Sequence, residues 1–206
     1  MNDQTPTVFM VDDEPAVRKA VARVLRAADI LVEVFPSAEA FLSAHDLAAP
    51  GCLLLDLAMP GLSGLELQRA LTERGGTLPI IFLSGNADVP VSVEAMKNGA
   101  ADFLTKPVQD ELLLSAVQAA FATDRAERIT RAARADIEAR LASLTPRELQ
   151  VLKGIVAGRL NKQIAGDLGT VEQTIKVHRS RVMEKMKVGS LAELVRLVDR
   201  AHATAG

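Results

Sequence analysis

Four short apolar stretches of the sequence end at residues whose side chains can do chemistry. They are followed in order by Asp12 and Asp13, by Asp56, by Ser84 and by Lys106. Clustered carboxylates repel one another unless a cation lies among them, and all-oxygen ligands suit Mg²⁺. A hydroxyl and a lysine beside such an ion can bind phosphoryl oxygens, and a carboxylate can accept the phosphoryl group. Any one of these residues alone is more often a turn or surface residue, but together they indicate phosphoryl chemistry.

These side chains meet only if the apolar stretches are parallel strands of one sheet, whose carboxyl ends share an edge. We predict strands at Thr7–Val11, Val32–Phe35, Cys52–Leu55, Ile80–Leu83 and Asp102–Thr105. Amphipathic helices are predicted between them, at Pro15–Ala28, Ala38–Ala44, Gly64–Arg74 and Val89–Asn98. This alternation predicts an α/β fold with a doubly wound five-stranded parallel sheet, extending over residues 1–122.

A helical linker is predicted over residues 123–143. The sequence from Gln109 to Thr145 contains neither Gly nor Pro, and apolar residues from Ile129 to Leu144 recur at helical spacing. We expect an extended helix, either continuous or interrupted once. It could pack on its own domain, or it could form a stalk that signals or dimerises, and the sequence leaves both possibilities open.

Residues 144–206 are predicted to form an all-α domain of four short helices. Capping-box patterns begin at Thr145, Thr170 and Ser190, and a further helix is expected at Asn161–Leu168. Because Gly169 makes a tight corner between two helices, the pattern predicts a helix-turn-helix.

The charge differs between the two predicted domains. Residues 1–122 contain 16 acidic and 8 basic residues, whereas residues 144–206 contain 6 acidic and 11 basic residues. This asymmetry favours different partners for the two domains, with the basic one suited to nucleic acid.

A cytoplasmic location is expected. The chain has one cysteine, Cys52, which excludes an internal disulfide, and it shows neither a signal-peptide pattern nor a membrane-spanning apolar run.

Residues 5–122 resemble the receiver domain of two-component response regulators. The motifs that carry the resemblance are Asp12-Asp13, Asp56 followed by Met59-Pro60-Gly61, Ser84-Gly85 and Lys106-Pro107. The resemblance implies a flavodoxin-like fold in which Asp56 takes a phosphoryl group from a sensor histidine kinase. It implies that Asp13, Asp56 and the main-chain carbonyl of Ala58 bind Mg²⁺, with Asp12 assisting through water. Ser84 and Lys106 would hold phosphoryl oxygens, Ser84 and Phe103 would form the switch pair, and the Lys106–Pro107 peptide would be cis.

The helix predicted to start near Glu172 has a polar, lysine-bearing face that suits the major groove of DNA, with cations placed for phosphates. The predicted DNA contacts are Gln173, Thr174, Lys176, Val177, Arg179, Ser180, Arg181 and Lys185. The segment from Leu144-Thr145-Pro146-Arg147-Glu148 to His178 resembles the helix-turn-helix of the LuxR/NarL/FixJ type, which implies DNA binding through this helix.

We therefore expect a FixJ-like response regulator that is not a turnover enzyme. Its expected partners are a sensor histidine kinase, promoter DNA, a second copy of the chain when phosphorylated, and RNA polymerase, with no membrane. One alternative is a receiver whose helical tail binds protein or RNA. A second is an aspartyl-phosphate phosphatase, which is disfavoured because Ala58 stands where such an enzyme needs a general acid.

Overall fold

A computed structural model describes residues 5–44, 49–85 and 89–203, which fall into two compact units divided between residues 128 and 129. In the first unit the strands are β1 (Thr7–Val11), β2 (Leu31–Phe35), β3 (Gly51–Asp56), β4 (Ile80–Ser84) and β5 (Asp102–Thr105). The helices are α1 (Pro15–Ala27), α2 (Ala38–Ala44), α3 (Gly64–Glu73), α4 (Val89–Lys97) and α5 (Asp110–Ala142), which runs into the second unit. The strand and helix predictions are confirmed to within a residue or two at their ends.

The five strands form one parallel sheet in the order β2-β1-β3-β4-β5. β3 and β4 are buried along their whole length because helices cover both faces of the sheet. Alternate residues of these strands enter separate apolar layers, with Leu53 and Leu55 in one and Leu54 in the other. Burial of each such side chain stabilises the folded state by about 1.5–3 kcal/mol relative to leaving it exposed to water.

Helix α5 is continuous over 33 residues, so the interruption that the sequence left open does not occur. Its first half packs Leu113 and Val117 into an apolar layer of the sheet, and near its end Leu141 packs against the core of the second unit. Ile129 is 56% exposed, although its helical spacing had placed it on the same row as Ile137. The domain bounds drawn from the sequence remain a prediction.

The rest of the second unit contains α6 (Pro146–Val156), α7 (Asn161–Asp167), α8 (Glu172–Met186) and α9 (Leu191–Ala203) around one apolar core. Thr145 caps α6 through the predicted capping box, and the Ser190 hydroxyl accepts a hydrogen bond from Glu193 N at 3.2 Å. The prediction of Thr170 as the cap of α8 is wrong. Val171 occupies that position and has no side-chain oxygen to offer.

No helix within the described ranges 5–44, 49–85 and 89–203 has the length and apolar character that crossing a membrane requires.

Candidate functional site

The first predicted site lies at the carboxyl edge of the sheet. The parallel register pairs Val11 with Leu55, Asp56 with Leu83 and Ser84 with Thr105, so the four strands end at nearly the same level. The loops after β1 and β5 therefore bring Asp12 and Lys106 beside Asp56. The sheet thus brings together residues that lie 44 to 94 positions apart in the chain.

The Lys106 ammonium lies between two buried carboxylates. Its Nζ atom is 2.8 Å from Asp12 Oδ2 and 3.1 Å from Asp56 Oδ1, and these two aspartates are 0% and 4% exposed. Glu14 Oε1 lies farther from the same ammonium, at 3.6 Å, with its side chain largely in solvent. A buried charge must be paired, and Lys106 supplies that pairing for both aspartates.

The pKa values of this group follow from burial and pairing. Burial of the Asp56 carboxyl raises its pKa, and the hydrogen bond from Lys106 offsets only part of that rise. Burial alone would lower the pKa of Lys106, but the hydrogen bonds to Asp12 and Asp56 together outweigh it and raise that pKa. The lysine is therefore a firmly charged ammonium at neutral pH, which is the form that can bind a phosphoryl oxygen.

The carboxylates at this edge fit a hard divalent cation. Asp12, Asp13 and Asp56 each offer an oxygen, and these oxygens lie within 4.8 Å of one another. Asp12 Oδ1 accepts a hydrogen bond from Glu14 N at 2.8 Å and Asp12 Oδ2 lies 2.8 Å from Lys106 Nζ, so each oxygen of Asp12 already faces a donor. Three carboxylates beside one ammonium leave excess negative charge, and oxygen ligands of this kind suit Mg²⁺.

The remaining predicted residues surround this cluster. Ser84 is buried at the end of β4, and Ala58 is exposed in the loop that follows Asp56. The Phe103 ring is partly buried with its centroid 6.5 Å from that of Phe82, and packs against the apolar layer on that face of the sheet. The Lys106–Pro107 peptide is cis, as predicted.

Two neighbours of the cluster were not predicted. Arg18 donates from Nη1 to the main-chain oxygen of Asp12 at 2.5 Å, which ties the acidic loop to α1. Gly64 begins α3 so close to β3 that an added Cβ would lie 2.4 Å from the Asp56 main-chain oxygen. Sequence signals for these contacts are weak, because a basic residue one turn into a helix and a Gly at the start of a helix are both common.

The second predicted site is the outer surface of α8. Five of its predicted DNA contacts are exposed: Gln173, Lys176, Val177, Ser180 and Arg181. Thr174 and Arg179 are partly buried, and Arg179 Nη1 donates to Asn161 Oδ1 of α7 at 3.2 Å. The opposite side of α8 buries Ile175, Val182 and Met186 in the domain core. The exposed surface is therefore polar and basic, as a groove-binding helix requires.

Lys185, which is partly buried, contacts the start of α6, and its role as a DNA contact remains a prediction. Its ammonium lies 2.7 Å from Oε2 of Glu148, which is 3% exposed, and 3.0 Å from the Ser143 main-chain oxygen. Lys185 therefore holds α8 against the start of α6. Helical spacing placed it near Arg181, but only the packing of α6 shows which side of α8 it faces.

The two candidate sites lie in regions of the chain that match known protein families. A family model described as the response regulator receiver domain matches residues 8–118, and one described as bacterial regulatory proteins, luxR family, matches residues 142–198. The response regulator protein TmoT of Ectopseudomonas mendocina is 44% identical over 200 residues, spanning 97% of this chain and 91% of that protein. The transcriptional regulatory protein FixJ of Azorhizobium caulinodans is 44% identical over 190 residues, spanning 92% of this chain and 90% of that protein.

Solved structures agree with these matches. The structure of response regulator StyR has a TM-score of 0.90 and 44% identity, covering 95% of this chain and 99% of that chain. Full-length FixJ from B. japonicum has a TM-score of 0.59 and 40% identity, and the match covers 97% of this chain and 98% of that chain. The chain therefore belongs to the response regulators, with a receiver domain followed by a DNA-binding domain of the luxR family.

Proposed function

We propose that Asp56 accepts a phosphoryl group from a sensor histidine kinase in the cytoplasm, and that this controls binding of α8 to promoter DNA. The observation that carries the proposal is the position of Lys106, 3.1 Å from Asp56 Oδ1 and 2.8 Å from Asp12 Oδ2 at one edge of the sheet. An ammonium held there can neutralise the oxygens of a phosphoryl group on Asp56 while it remains paired with Asp12.

In the transfer step an oxygen of the Asp56 carboxylate forms a bond to phosphorus, and the bond from phosphorus to the donor imidazole nitrogen breaks. The electron pair of that bond stays on the imidazole. Mg²⁺, bound by Asp13, Asp56 and the Ala58 carbonyl with Asp12 assisting through water, would supply positive charge for the phosphoryl oxygens. Lys106 and the Ser84 hydroxyl would bind two of those oxygens.

We propose that the site stores the phosphoryl group and does not turn over a substrate. An aspartyl-phosphate phosphatase needs a general acid close to its nucleophile, and the residue two positions after Asp56 is Ala58. Ala58 can neither protonate the leaving alcohol of a phosphate ester nor take a proton from the water that hydrolyses the acyl phosphate, which favours a stored signal over repeated catalysis.

Readout would begin when the Ser84 hydroxyl moves to the phosphoryl oxygen and the Phe103 ring turns inward. Phe103 is already partly packed against Phe82, so its movement would change the surface formed with α4. On α4, Val93 is 44% exposed and Met96 is 46% exposed, which are apolar surfaces that a second copy could cover. We propose that the phosphorylated chain dimerises through this surface.

A dimer would present two α8 helices to two half-sites of promoter DNA, where the chain could also contact RNA polymerase. Arg181 and Arg179 would contact phosphates, while Gln173, Lys176 and Val177 would face base edges, with Thr174 and Ser180 beside them. Exposure of Val177, at 44%, supports an apolar contact of the kind that thymine methyl groups make.

The phosphoacceptor is tested with Asp56→Asn. We expect this variant to take up no phosphoryl group from labelled acetyl phosphate with Mg²⁺, because an amide oxygen is a poor nucleophile. Asp29→Asn is the matched control, since Asp29 is exposed and has a φ of 57°, a conformation that Asn tolerates. Labelling of Asp56→Asn at the rate of the control would refute the assignment.

DNA binding is tested with Lys176→Ala on duplexes enriched from a random library by the full-length protein. We expect Lys176→Ala to bind these duplexes about tenfold more weakly, since one good base contact contributes about 1–3 kcal/mol to the binding free energy. Phosphorylation should remain unchanged because Lys176 lies in the second unit. If the phosphorylated wild-type protein enriches no DNA, a tail that binds protein or RNA becomes the better explanation.

A further inference from the structure

The turn before α8 has its own backbone nearly satisfied. Thr170 N donates to Ala165 O at 2.9 Å and Gly169 N donates to Gly166 O at 3.3 Å, which is the Schellman arrangement that ends α7. Gly169 has a φ of 60°, as that arrangement requires. The Leu168 carbonyl, at the end of the helix, is then left for a donor from outside the turn.

Arg147 of α6 supplies that donor. Its Nη2 atom donates to Leu168 O at 2.5 Å, and its Nη1 atom donates to Gln150 Oε1 at 3.1 Å, which orients the guanidinium. The side chain is partly buried, so this is a charge-assisted bond at the negative end of α7. Arg147 itself is held in place by the Thr145 capping box and by Pro146 at the first position of α6.

The adjacent residue, Glu148, holds the other end of α8. Its carboxylate accepts hydrogen bonds from Lys185 Nζ at 2.7 Å and from Thr145 N at 2.9 Å. The bond from Lys185, followed by that from Thr145, lowers the pKa of Glu148 to about 2. Two consecutive residues of α6 therefore hold the two ends of α8. Arg147 contacts the turn that precedes it, and Glu148 contacts its last turn.

The start of α8 has no side-chain cap, although Ile175 in its first turn is buried in the domain core. Its cap, Val171, provides no side-chain hydrogen bond, and Val171 is 66% exposed. The direction in which α8 leaves the turn must therefore be set by contacts from other helices.

We propose that Arg147 is a positioning residue for DNA recognition, which sets the angle of α8 by holding the Leu168 carbonyl. This inference rests on the proposed DNA-binding function of α8. Because the guanidinium is committed to Leu168 and Gln150, Arg147 acts on DNA through α8 and makes no phosphate contact of its own.

A positioning residue and a phosphate contact differ in their dependence on salt. Each phosphate contact contributes about 0.9 to the slope of log K against log salt concentration for duplex DNA. Loss of Arg147 should leave that slope unchanged, while loss of a residue that contacts phosphate should lower it by about one. Non-specific binding, which depends on phosphate contacts, should likewise survive the loss of Arg147.

The experiment uses the full-length protein with Mg²⁺ and beryllofluoride as a phosphoryl mimic. Two duplexes are compared, one enriched from a random library by the wild-type protein and one of mixed sequence. Arg147→Ala should bind the enriched duplex about tenfold more weakly, or about 1.4 kcal/mol. Its affinity for the mixed duplex and its salt slope should match wild type, and Arg147→Lys should recover part of the loss.

Arg181→Ala is the contrasting variant, because Arg181 is exposed on α8. It should weaken binding to both duplexes and lower the salt slope. Equal affinity of Arg147→Ala and wild type for the enriched duplex would overturn the inference, as would a fall in its salt slope. If Arg147→Ala does not fold, Arg147→Lys decides by the same two criteria. Failure of the wild-type protein to enrich any sequence is a separate result, which refutes the proposed function itself.

Discussion

A buried carboxylate on α5 should control how often the start of β3 opens. Asp124 is 2% exposed, and its Oδ2 accepts a hydrogen bond from Gly51 N at 3.0 Å and another from Arg128 Nε at 2.8 Å. Arg128 also donates to the main-chain oxygen of Ala49. These bonds tie α5 to the beginning of the strand whose other end holds Asp56, so Asp124→Ala should release that strand locally.

The size of the effect follows from the two partners that lose Asp124. The buried Gly51 N–H would lose its acceptor, which costs about 1–3 kcal/mol. The Arg128 side chain is 30% exposed and can be solvated, so the loss of its ion pair adds only about 1 kcal/mol. We therefore expect Asp124→Ala to lower the free energy of opening the start of β3 by about 2–4 kcal/mol. This raises the population of the open strand by about 30- to 1,000-fold.

Cys52, the residue after Gly51 in β3, provides an assay for this opening. Cys52 is the one cysteine of the sequence and is 0% exposed. Burial, with the nearby charge of Asp124 as a smaller cause, raises the pKa of its thiol to about 12, so the closed strand supplies almost no reactive thiolate at pH 8. Labelling by a disulfide reagent then requires opening, and its rate reports the open population when closing is fast.

Glu138→Ala is the matched control on the same helix. Its ion pair with Arg134 joins side chains that are 58% and 45% exposed, so its loss should change labelling by less than about twofold. A labelling rate for Asp124→Ala within about threefold of wild type would show that this contact does not hold β3, and would refute the reasoning from burial.

Two further predictions concern the two sites. Gly64→Ala would place a Cβ 2.4 Å from the Asp56 main-chain oxygen, so α3 must shift. We expect a loss of about 1–3 kcal/mol in urea unfolding and slower phosphorylation by acetyl phosphate, and an unchanged rate would contradict the close packing. The pKa of Glu148 is lowered to about 2 from an ordinary 4.5, so its stabilisation is complete above pH 4.5 and is lost as the pH falls towards 2. Circular dichroism should show less acid destabilisation between these pH values in Glu148→Gln than in wild type.

Much of the receiver pocket could be predicted because strand position is a local property of the sequence. The buried runs of β3 and β4 are apolar, so their ends were placed within one residue, and parallel pairing then places Asp56 and Ser84 at one edge. The cap of α8 was predicted wrongly for a local reason as well. Thr170 N completes the turn after α7, which moves the start of α8 one residue further to Val171.

The sequence by itself determined the strands, the helices and the residue types at the sheet edge, because apolar periodicity and helix caps depend on neighbours along the chain. Only the tertiary structure decided the long-range partners of charged side chains on the helices. Lys185 pairs with Glu148 across 37 positions, and Asp124 bonds to Gly51 across 73. The physical reason is that a charged side chain on a helix can be solvated or paired at little difference in energy until packing removes the water around it.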